Sequence, residues 1–366
     1  MRKTGPGKVH LQFDPAGNRL QGGKKLRDGL SGVAGLRDTL WVVSDETLSV
    51  ERLDRTLERS PAFAGHTTFR LEKFLRLRSG SRAEADLEDL DIAGGYLWLV
   101  GSHAAEREMP GKKASPRKVA KVLSKVARQG NRCLLARIPM VAIDGTWTLR
   151  RRAGHGARKR LASRLEGNAK GNALTRALLK DEHFRDTFRL PGKENGFDIE
   201  GLAVVGERVL LGLRGPVLNE WAAILEIEPR PARNHPSLLR LGRFGRGKKL
   251  YRKHFLKLDG LGVRALCRQG LDILVLAGPN AALDGPMKLY RWIGGARSDI
   301  ERRVRPANVI HVMDLPSGRG TDLPEGIVVV PSKDGRDRLL VVYERASKKR
   351  MRGAHGVDAD LFVIPQ

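Results

Sequence analysis

Charged side chains recur at one position of a repeated motif, and they are the residues of this chain best suited to chemistry. The motif is a short polar-Gly corner, an apolar turn and then a strand. The strand lies ten residues after the corner in four copies and fourteen residues after it in the fifth. The corner positions are Ser31, Glu88, Glu200, Arg264 and Glu325.

Two interpretations of the three corner glutamates stay open. In the first, Glu88, Glu200 and Glu325 hold a hard divalent cation, for which Ca²⁺ is the natural choice because it prefers six to eight oxygen ligands. In the second they are structural, and each accepts backbone N–H groups or an arginine and locks one repeat to the next. Like charges held close would otherwise repel and raise one another's pKa.

Other polar residues are expected on the same side of the molecule. Arg214 and Arg264 are candidate clamps for phosphate or carboxylate oxygens. Asp45 and His103 follow second strands and complete the candidate ligand-binding set, with Asp86 and Asp198 as neighbouring acids. Together they predict a site for a small anionic or phosphorylated ligand, with metal-assisted hydrolysis as its chemistry. No catalytic residue is assigned.

The elements that must position these residues form a repeat, which indicates a circular or stacked architecture. Each copy has room for four strands, except that the last has three. The strand Lys8–Phe13 supplies the missing one, so that no edge is left unpaired. The sequence therefore predicts an all-β propeller of five blades, closed by its N-terminal strand, as a single domain over residues 1–366. The outer strands of blades 1 and 2 are predicted at Thr68–Phe74 and Thr146–Arg150.

The interval between Glu88 and Glu200 is 112 residues, nearly two repeats of about sixty. A sixth blade is therefore the alternative, and a basic, partly helical insertion over residues 104–196 is the preferred explanation. Ser115-Pro116 predicts the start of a helix. A second helical stretch is predicted around Leu174–Phe184.

The chain carries a net charge of +27, and residues 104–193 hold 23 Lys and Arg against 7 Asp and Glu. Such a surplus favours polyanion partners. The first predicted helix either docks on an anionic surface or packs a Val/Leu stripe on the propeller wall. A second function follows from this region: a non-catalytic interaction scaffold that uses rim loops and the insertion on protein partners, polyanions or nucleic acid.

Composition indicates a folded, water-soluble protein, with 40% hydrophobic and 30% charged residues. We see no apolar run of about 18 residues, the length that a membrane span requires, and no leader at the start. The two cysteines are too few for a disulfide framework. We therefore expect a cytoplasmic protein.

Three corner phrases resemble the bacterial family catalogued as domain of unknown function 3616. They are Leu87-Glu88-Asp89-Leu90, Asp198-Ile199-Glu200-Gly201-Leu202 and Leu323-Pro324-Glu325-Gly326-Ile327. The resemblance runs from about residue 8 to 366 and implies a propeller-like β fold without an assigned activity. More distantly, the corner is similar to esterase-like and phytase-like propellers, in which channel carboxylates bind Ca²⁺ and phosphate. Ser31 and Arg264 depart from that pattern.

Overall fold

The structure, a computed structural model, describes residues 6–56, 62–78, 85–111, 113–156, 159–245, 247–281, 284–297, 302–332 and 335–365. The predicted absence of a leader falls partly on residues 1–5, which lie outside these ranges. In the described part of the chain, we find no helix with the length and apolar character needed to cross a membrane.

The described strands form five antiparallel units, here called blades 1 to 5. The first strands of the blades contact one another in chain order, and that of blade 5 contacts that of blade 1. This closed ring is a β-propeller, as predicted. The innermost strands are Gly32–Leu36, Leu87–Ala93, Asp198–Val205, Gly262–Gln269 and Leu323–Val330.

The remaining strands lie outward from these in chain order. In blades 1 and 2 they are Thr39–Val43, Ser49–Arg55 and Ala62–Arg70, then Tyr96–Gly101, Leu135–Ile143 and Ser163–Leu165. In blades 3 and 4 they are Arg208–Gly215, Trp221–Ile227 and Arg252–Lys257, then Asp272–Gly278, Met287–Trp292 and Val309–Leu315. In blade 5 they are Arg338–Glu344, Gly356–Val363 and, from the other end of the chain, Gly7–Gln12.

The N-terminal strand closes the ring as predicted. Gly7–Gln12 pairs antiparallel with Gly356–Val363, with His10 opposite Asp358. Its other edge pairs in parallel with the outer strand of blade 1, where Leu11 lies opposite Phe63. The two ends of the chain are therefore joined by backbone hydrogen bonds.

Two further outer edges are covered by parallel pairing, which sequence reasoning missed. A hairpin from blade 3, Pro229–Ala232 and His235–Leu241, adds to the outer strand of blade 2. Arg302–Arg303, which precedes the last strand of blade 4, adds to the outer strand of blade 3. Covered edges offer no template for pairing with a second chain.

The hydrophobic core is divided among the interfaces between blades. Five clusters of buried apolar residues lie between blades 1 and 2, 2 and 3, 3 and 4, 4 and 5, and 5 and 1. Each blade thus buries both faces of its sheet, and burial of apolar surface is the main stabilising contribution to the ring.

Carboxylates reinforce the contact between the inner strands of blades 2 and 3. Asp89 accepts a hydrogen bond from the Leu202 backbone N–H at 2.7 Å, and Asp91 accepts one from Val204 at 2.7 Å. Side-chain acceptors therefore satisfy backbone donors that have no strand partner at this junction.

The predicted outer strands of blades 1 and 2 are displaced. In blade 1 the strand is Ala62–Arg70, and the apolar residues that suggested a later strand lie in a short 3₁₀ turn with Leu71 buried. In blade 2, Thr146–Leu149 pairs only with the end of the third strand. The Asp144-Gly145 turn has positive φ at both residues, which closes a tight hairpin at that end.

The predicted insertion 104–196 contains blade strands as well as excursions. Two helices lie in it, α1 (Pro116–Leu123) and α2 (Ala173–Leu178). No residue of α1 is buried: Val119 and Val122 are half-buried and Leu123 is exposed, as is Val126 just beyond the helix. The helix therefore does not pack a full apolar stripe on the propeller wall.

We predict that Asp360→Asn destabilises the ring closure. The buried Asp360 carboxylate accepts hydrogen bonds from Tyr343 Oη at 2.7 Å and Arg350 at 3.0 Å, and it pairs with Lys8 of the N-terminal strand. Removing one partner of a buried ion pair costs about 3–5 kcal/mol. Urea denaturation should show a loss of this order.

The control is Asp314→Asn, in an exposed ion pair with His311. It should change the free energy of unfolding by less than about 0.5 kcal/mol. Equal losses in the two variants would show that Asp360 is not important for closure.

Candidate functional site at the channel mouth

The corner residues project into the channel because the backbone bulges at each of them. The register of the first two strands shifts across Glu88, Glu200, Arg264 and Glu325 in blades 2 to 5. A bulge inserts an extra residue and re-aims its side chain. In blade 1 the corner residue Ser31 precedes the strand. All five line the cavity at one end of the channel.

The residue after the corner lies where neighbouring inner strands approach closely. A Cβ on Gly326 would lie 2.9 Å from the Cα of Gly32, and one on Gly201 would lie 3.2 Å from the backbone carbon of Ala265. Close approach of the neighbouring backbone therefore explains why these two positions lack a side chain.

Two arginines are each held between two carboxylates. Arg214 pairs with Asp198 and with Glu200, both at 2.6 Å. Arg264 pairs with the other oxygen of Glu200 at 2.9 Å, and its Nε donates to Glu325 at 3.1 Å. These residues form a continuous chain across blades 3, 4 and 5, which we call the ion-pair arc.

The arc fixes the charge of both guanidiniums. Burial alone would lower the pKa of Arg214, but Asp198 and Glu200 raise it above its ordinary value. Burial opposes the charge of Arg264 in the same way, and Glu200 and Glu325 raise its pKa. Both arginines are therefore cationic, and their charge is matched within the protein.

Three acids near the arc are incompletely matched. Among the described residues, Glu88 has no hydrogen-bond or ion-pair partner for its carboxylate, and Asp45 accepts only a long hydrogen bond from Ser44 at 3.5 Å. Asp198 pairs with Arg214 through one oxygen, while the buried Oδ1 has no hydrogen-bond partner in the described chain. Burying a carboxylate oxygen without a donor is unfavourable.

Their environment favours the protonated forms. Burial and the carboxylates of Asp86 and Glu200 raise the pKa of Glu88 well above its usual range. Burial, with repulsion from Asp86 and Glu344, raises the pKa of Asp45 to about 7. Burial raises the pKa of Asp198 to about 7, although Arg214 opposes the shift.

The cavity has a volume of about 790 Å³ and an acidic lining within a basic protein. Its described lining holds ten acidic side chains and six basic ones. The acidic residues are Asp45, Glu46, Asp86, Glu88, Glu106, Glu194, Asp198, Glu200, Glu325 and Glu344, and the basic residues are Lys24, Arg107, Arg132, Lys193, Arg214 and Arg264.

His103, predicted as a ligand-binding residue at the mouth, is buried and does not line the cavity. Its Nδ1 lies 2.7 Å from the Gly101 carbonyl oxygen, and its Nε2 lies 2.6 Å from the side-chain amide nitrogen of Asn172. Burial lowers the pKa of His103 to about 4. The neutral ring therefore joins blade 2 to the start of α2, a role that spacing along the chain could not reveal.

The predicted metal ligands are placed around the same cavity but with arginine between two of them. Arg264 lies between Glu200 and Glu325, whereas Glu88 lies apart from the arc. Within the described ranges, no group of three or more His, Cys, Asp or Glu is arranged to hold a metal ion. Ca²⁺ at this site stays a prediction.

Sequence reasoning missed the second wall of the mouth. Arg132 pairs with Asp86 at 2.9 Å and with Glu106 at 2.5 Å. Lys193 and the segment that follows the second strand of blade 2 also line the cavity. These residues have no repeated spacing, so no pattern along the chain indicated them.

The sequence profile of one known family matches residues 29–360. The chain belongs to this family, described as "Protein of unknown function (DUF3616)". The resemblance in the corner phrases is therefore confirmed. No curated protein matches the chain.

Solved structures with a similar fold are distant from this family member. The glutaminyl cyclase of Myxococcus xanthus is 11% identical with a TM-score of 0.37, covering 99% of this chain and 100% of that one. The PQQ-bound aldose sugar dehydrogenase of Streptomyces coelicolor is 10% identical with a TM-score of 0.37, covering 98% and 100%. The β-propeller domain of Cps50 (Swd1) of Myceliophthora thermophila is 11% identical with a TM-score of 0.32, covering 94% and 86%. Similarities this low carry no argument about activity.

We predict opposite effects for Glu88→Gln and Glu200→Gln, which make the same change at equivalent bulges. Glu200 holds both arginines, and its loss should cost about 3–5 kcal/mol at pH 8. Glu88 has a raised pKa in the folded state, so its contribution to stability is present below the unfolded pKa and is lost as the pH rises through the folded pKa. Glu88→Gln cannot ionise, so the variant should not lose stability as the pH rises.

Thermal melting at pH 5 and pH 8 checks this pair. The melting temperature of Glu88→Gln should exceed that of wild type at pH 8 and approach it at pH 5. The melting temperature of Glu200→Gln should be lower than that of wild type at both values. A lower melting temperature for Glu88→Gln at pH 8 would show that Glu88 has a stabilising partner.

Proposed function

We propose that the acidic channel mouth binds a small cationic ligand. The observation that carries this proposal is the surplus of carboxylates around a cavity of about 790 Å³, in a chain whose net charge is +27. The protein as a whole is basic, but the cavity where the inner strands converge has an excess of acidic side chains. This local excess would favour a cationic ligand over an anionic one.

The unmatched carboxylates supply the binding chemistry. A cation placed among Asp45, Glu88 and Asp198 would lower the repulsion between these carboxylates. Charge-assisted hydrogen bonds to carboxylates are stronger than those between neutral groups. The low exposure of the site strengthens the attraction further.

The anionic or phosphorylated ligand predicted from the sequence has weaker support. Its two expected clamps, Arg214 and Arg264, already donate to Asp198, Glu200 and Glu325. An anion would have to compete with these carboxylates for the same N–H groups. It would also meet the repulsion of the remaining acids.

Ca²⁺ belongs to the proposed ligand class, and metal-assisted hydrolysis remains the reaction predicted with it. The scaffold function also remains a prediction. Its support is the exposed, basic α1, where Arg117, Lys118 and Lys121 have no ion pair among the described residues. The scaffold function makes no use of the unmatched acids of the mouth.

We predict that cation binding tightens between pH 6 and pH 8. Because the pKa values of Asp45 and Asp198 lie at about 7, both ionise over this interval, and ionised carboxylates attract a cation. Calorimetric titration with methylammonium and with CaCl₂ should show an affinity up to about tenfold higher at pH 8 for each group that titrates.

Glu88→Gln serves as the site variant and should weaken binding of either cation. Inorganic phosphate is the opposing probe. If phosphate binds, its affinity falls as the pH rises, because the mouth becomes more negative. Phosphate binding in the absence of cation binding would contradict the proposal.

A further inference from the structure

Two exposed apolar side chains, here called the apolar rim, lie beside the acidic floor of the mouth. Of the residues that line the cavity, Met109 is 88% exposed and Leu123 is 44% exposed. Ala104, Ala105 and Pro191 complete the apolar part of the lining. Met109 and Leu123 therefore offer apolar surface to a ligand at the edge of the cavity.

This rim is held in place by backbone and side-chain contacts. Glu106 and Ala127 exchange backbone hydrogen bonds of 3.0 and 2.8 Å, which close the segment 106–127 into a loop. The Gly192 backbone N–H donates to the Ala105 carbonyl at 3.0 Å. The loop that carries α1 is therefore fixed to the mouth at its base.

One ion pair positions the end of α1 relative to the cavity. The Arg107 guanidinium donates to both carboxylate oxygens of Glu194, at 2.7 and 2.9 Å, and also donates to the Leu123 carbonyl. A bidentate pair of this kind fixes direction as well as distance. Leu123, at the end of α1, is thereby held at the cavity instead of turning away from it.

The floor offers an acceptor for a cation that carries N–H groups. Glu88 lines the cavity, is half-buried and has no ion-pair partner in the described chain, so its carboxylate can accept a charge-assisted hydrogen bond from a ligand there. No aromatic side chain is among the described lining residues. Quaternary ammonium groups lack N–H donors and are usually bound by aromatic faces. The lining therefore suits a cation that carries N–H groups.

We propose that the ligand is an aliphatic primary amine or guanidine, with its charged head among Asp45, Glu88 and Asp198 and its hydrocarbon arm against Met109 and Leu123. This inference rests on the proposed function and narrows it, because a bare cation would make no use of the rim. A volume of about 790 Å³ is in the range of small-molecule sites and far exceeds the space that a single ion requires.

The test is calorimetric titration of the full chain at pH 8 with n-alkylamines from methylamine to hexylamine. Each methylene that the rim buries should tighten binding about fourfold. Tetramethylammonium, which cannot donate a hydrogen bond, should bind more weakly than methylamine. CaCl₂ is titrated in parallel.

Variants separate the two halves of the site. Replacing both rim residues, Met109→Ala with Leu123→Ala, should flatten the dependence on chain length and leave methylamine affinity unchanged. Val126→Ala is the matched control, since Val126 is 38% exposed on the same segment and does not line the cavity. Glu88→Gln should weaken every amine by a similar factor.

Each alternative result has a distinct meaning. Binding of Ca²⁺ without a dependence on chain length would overturn the amine proposal and leave a cation site in place. A chain-length dependence that survives the double variant would overturn the assignment of the rim. Failure of every cation to bind would overturn the proposed function as well.

Discussion

The structure of the channel depends on one backbone irregularity, the bulge at the corner of four inner strands. Without the extra residue, strict alternation would turn Glu88, Glu200, Arg264 and Glu325 away from the axis. With it, charged groups from four blades meet at one end of the ring. Their charges must then be matched locally, and the way in which they are matched determines the chemistry of the mouth.

The pairing of carboxylates with arginines is uneven around the ring. Arg214 and Arg264 pair with Asp198, Glu200 and Glu325 on the side of blades 3 to 5, where the ion-pair arc links neighbouring blades. On the side of blades 1 and 2, neither Asp45 nor Glu88 pairs with an arginine of the described residues. The ion pairs fit the structural interpretation for Glu200 and Glu325, which lie in the arc, whereas Glu88 is the corner glutamate on which the proposed ligand site depends.

The repeat in the sequence was sufficient to predict the propeller, the closing strand and the residues that face the axis, because the period and the strand pattern are local properties. The bulges and the partners of Arg214 and Arg264 were not predictable, because spacing gives the side of a strand and not the distance between blades. His103 was misplaced for the same reason, since its partner Asn172 lies 69 positions away in the chain. The apolar rim at Met109 and Leu123 has no repeated pattern and required the folded structure.

The central claim is that the acidic mouth holds an amine head below an apolar rim, and a crystal structure with 4-iodobenzylamine at pH 8 tests it most directly. The anomalous signal of iodine locates one end of the ligand without ambiguity. We predict that the ammonium nitrogen lies within hydrogen-bond distance of Glu88 or Asp198 and that the iodine lies beside Met109 and Leu123. Iodine bound elsewhere, with no ligand among these carboxylates, would contradict it.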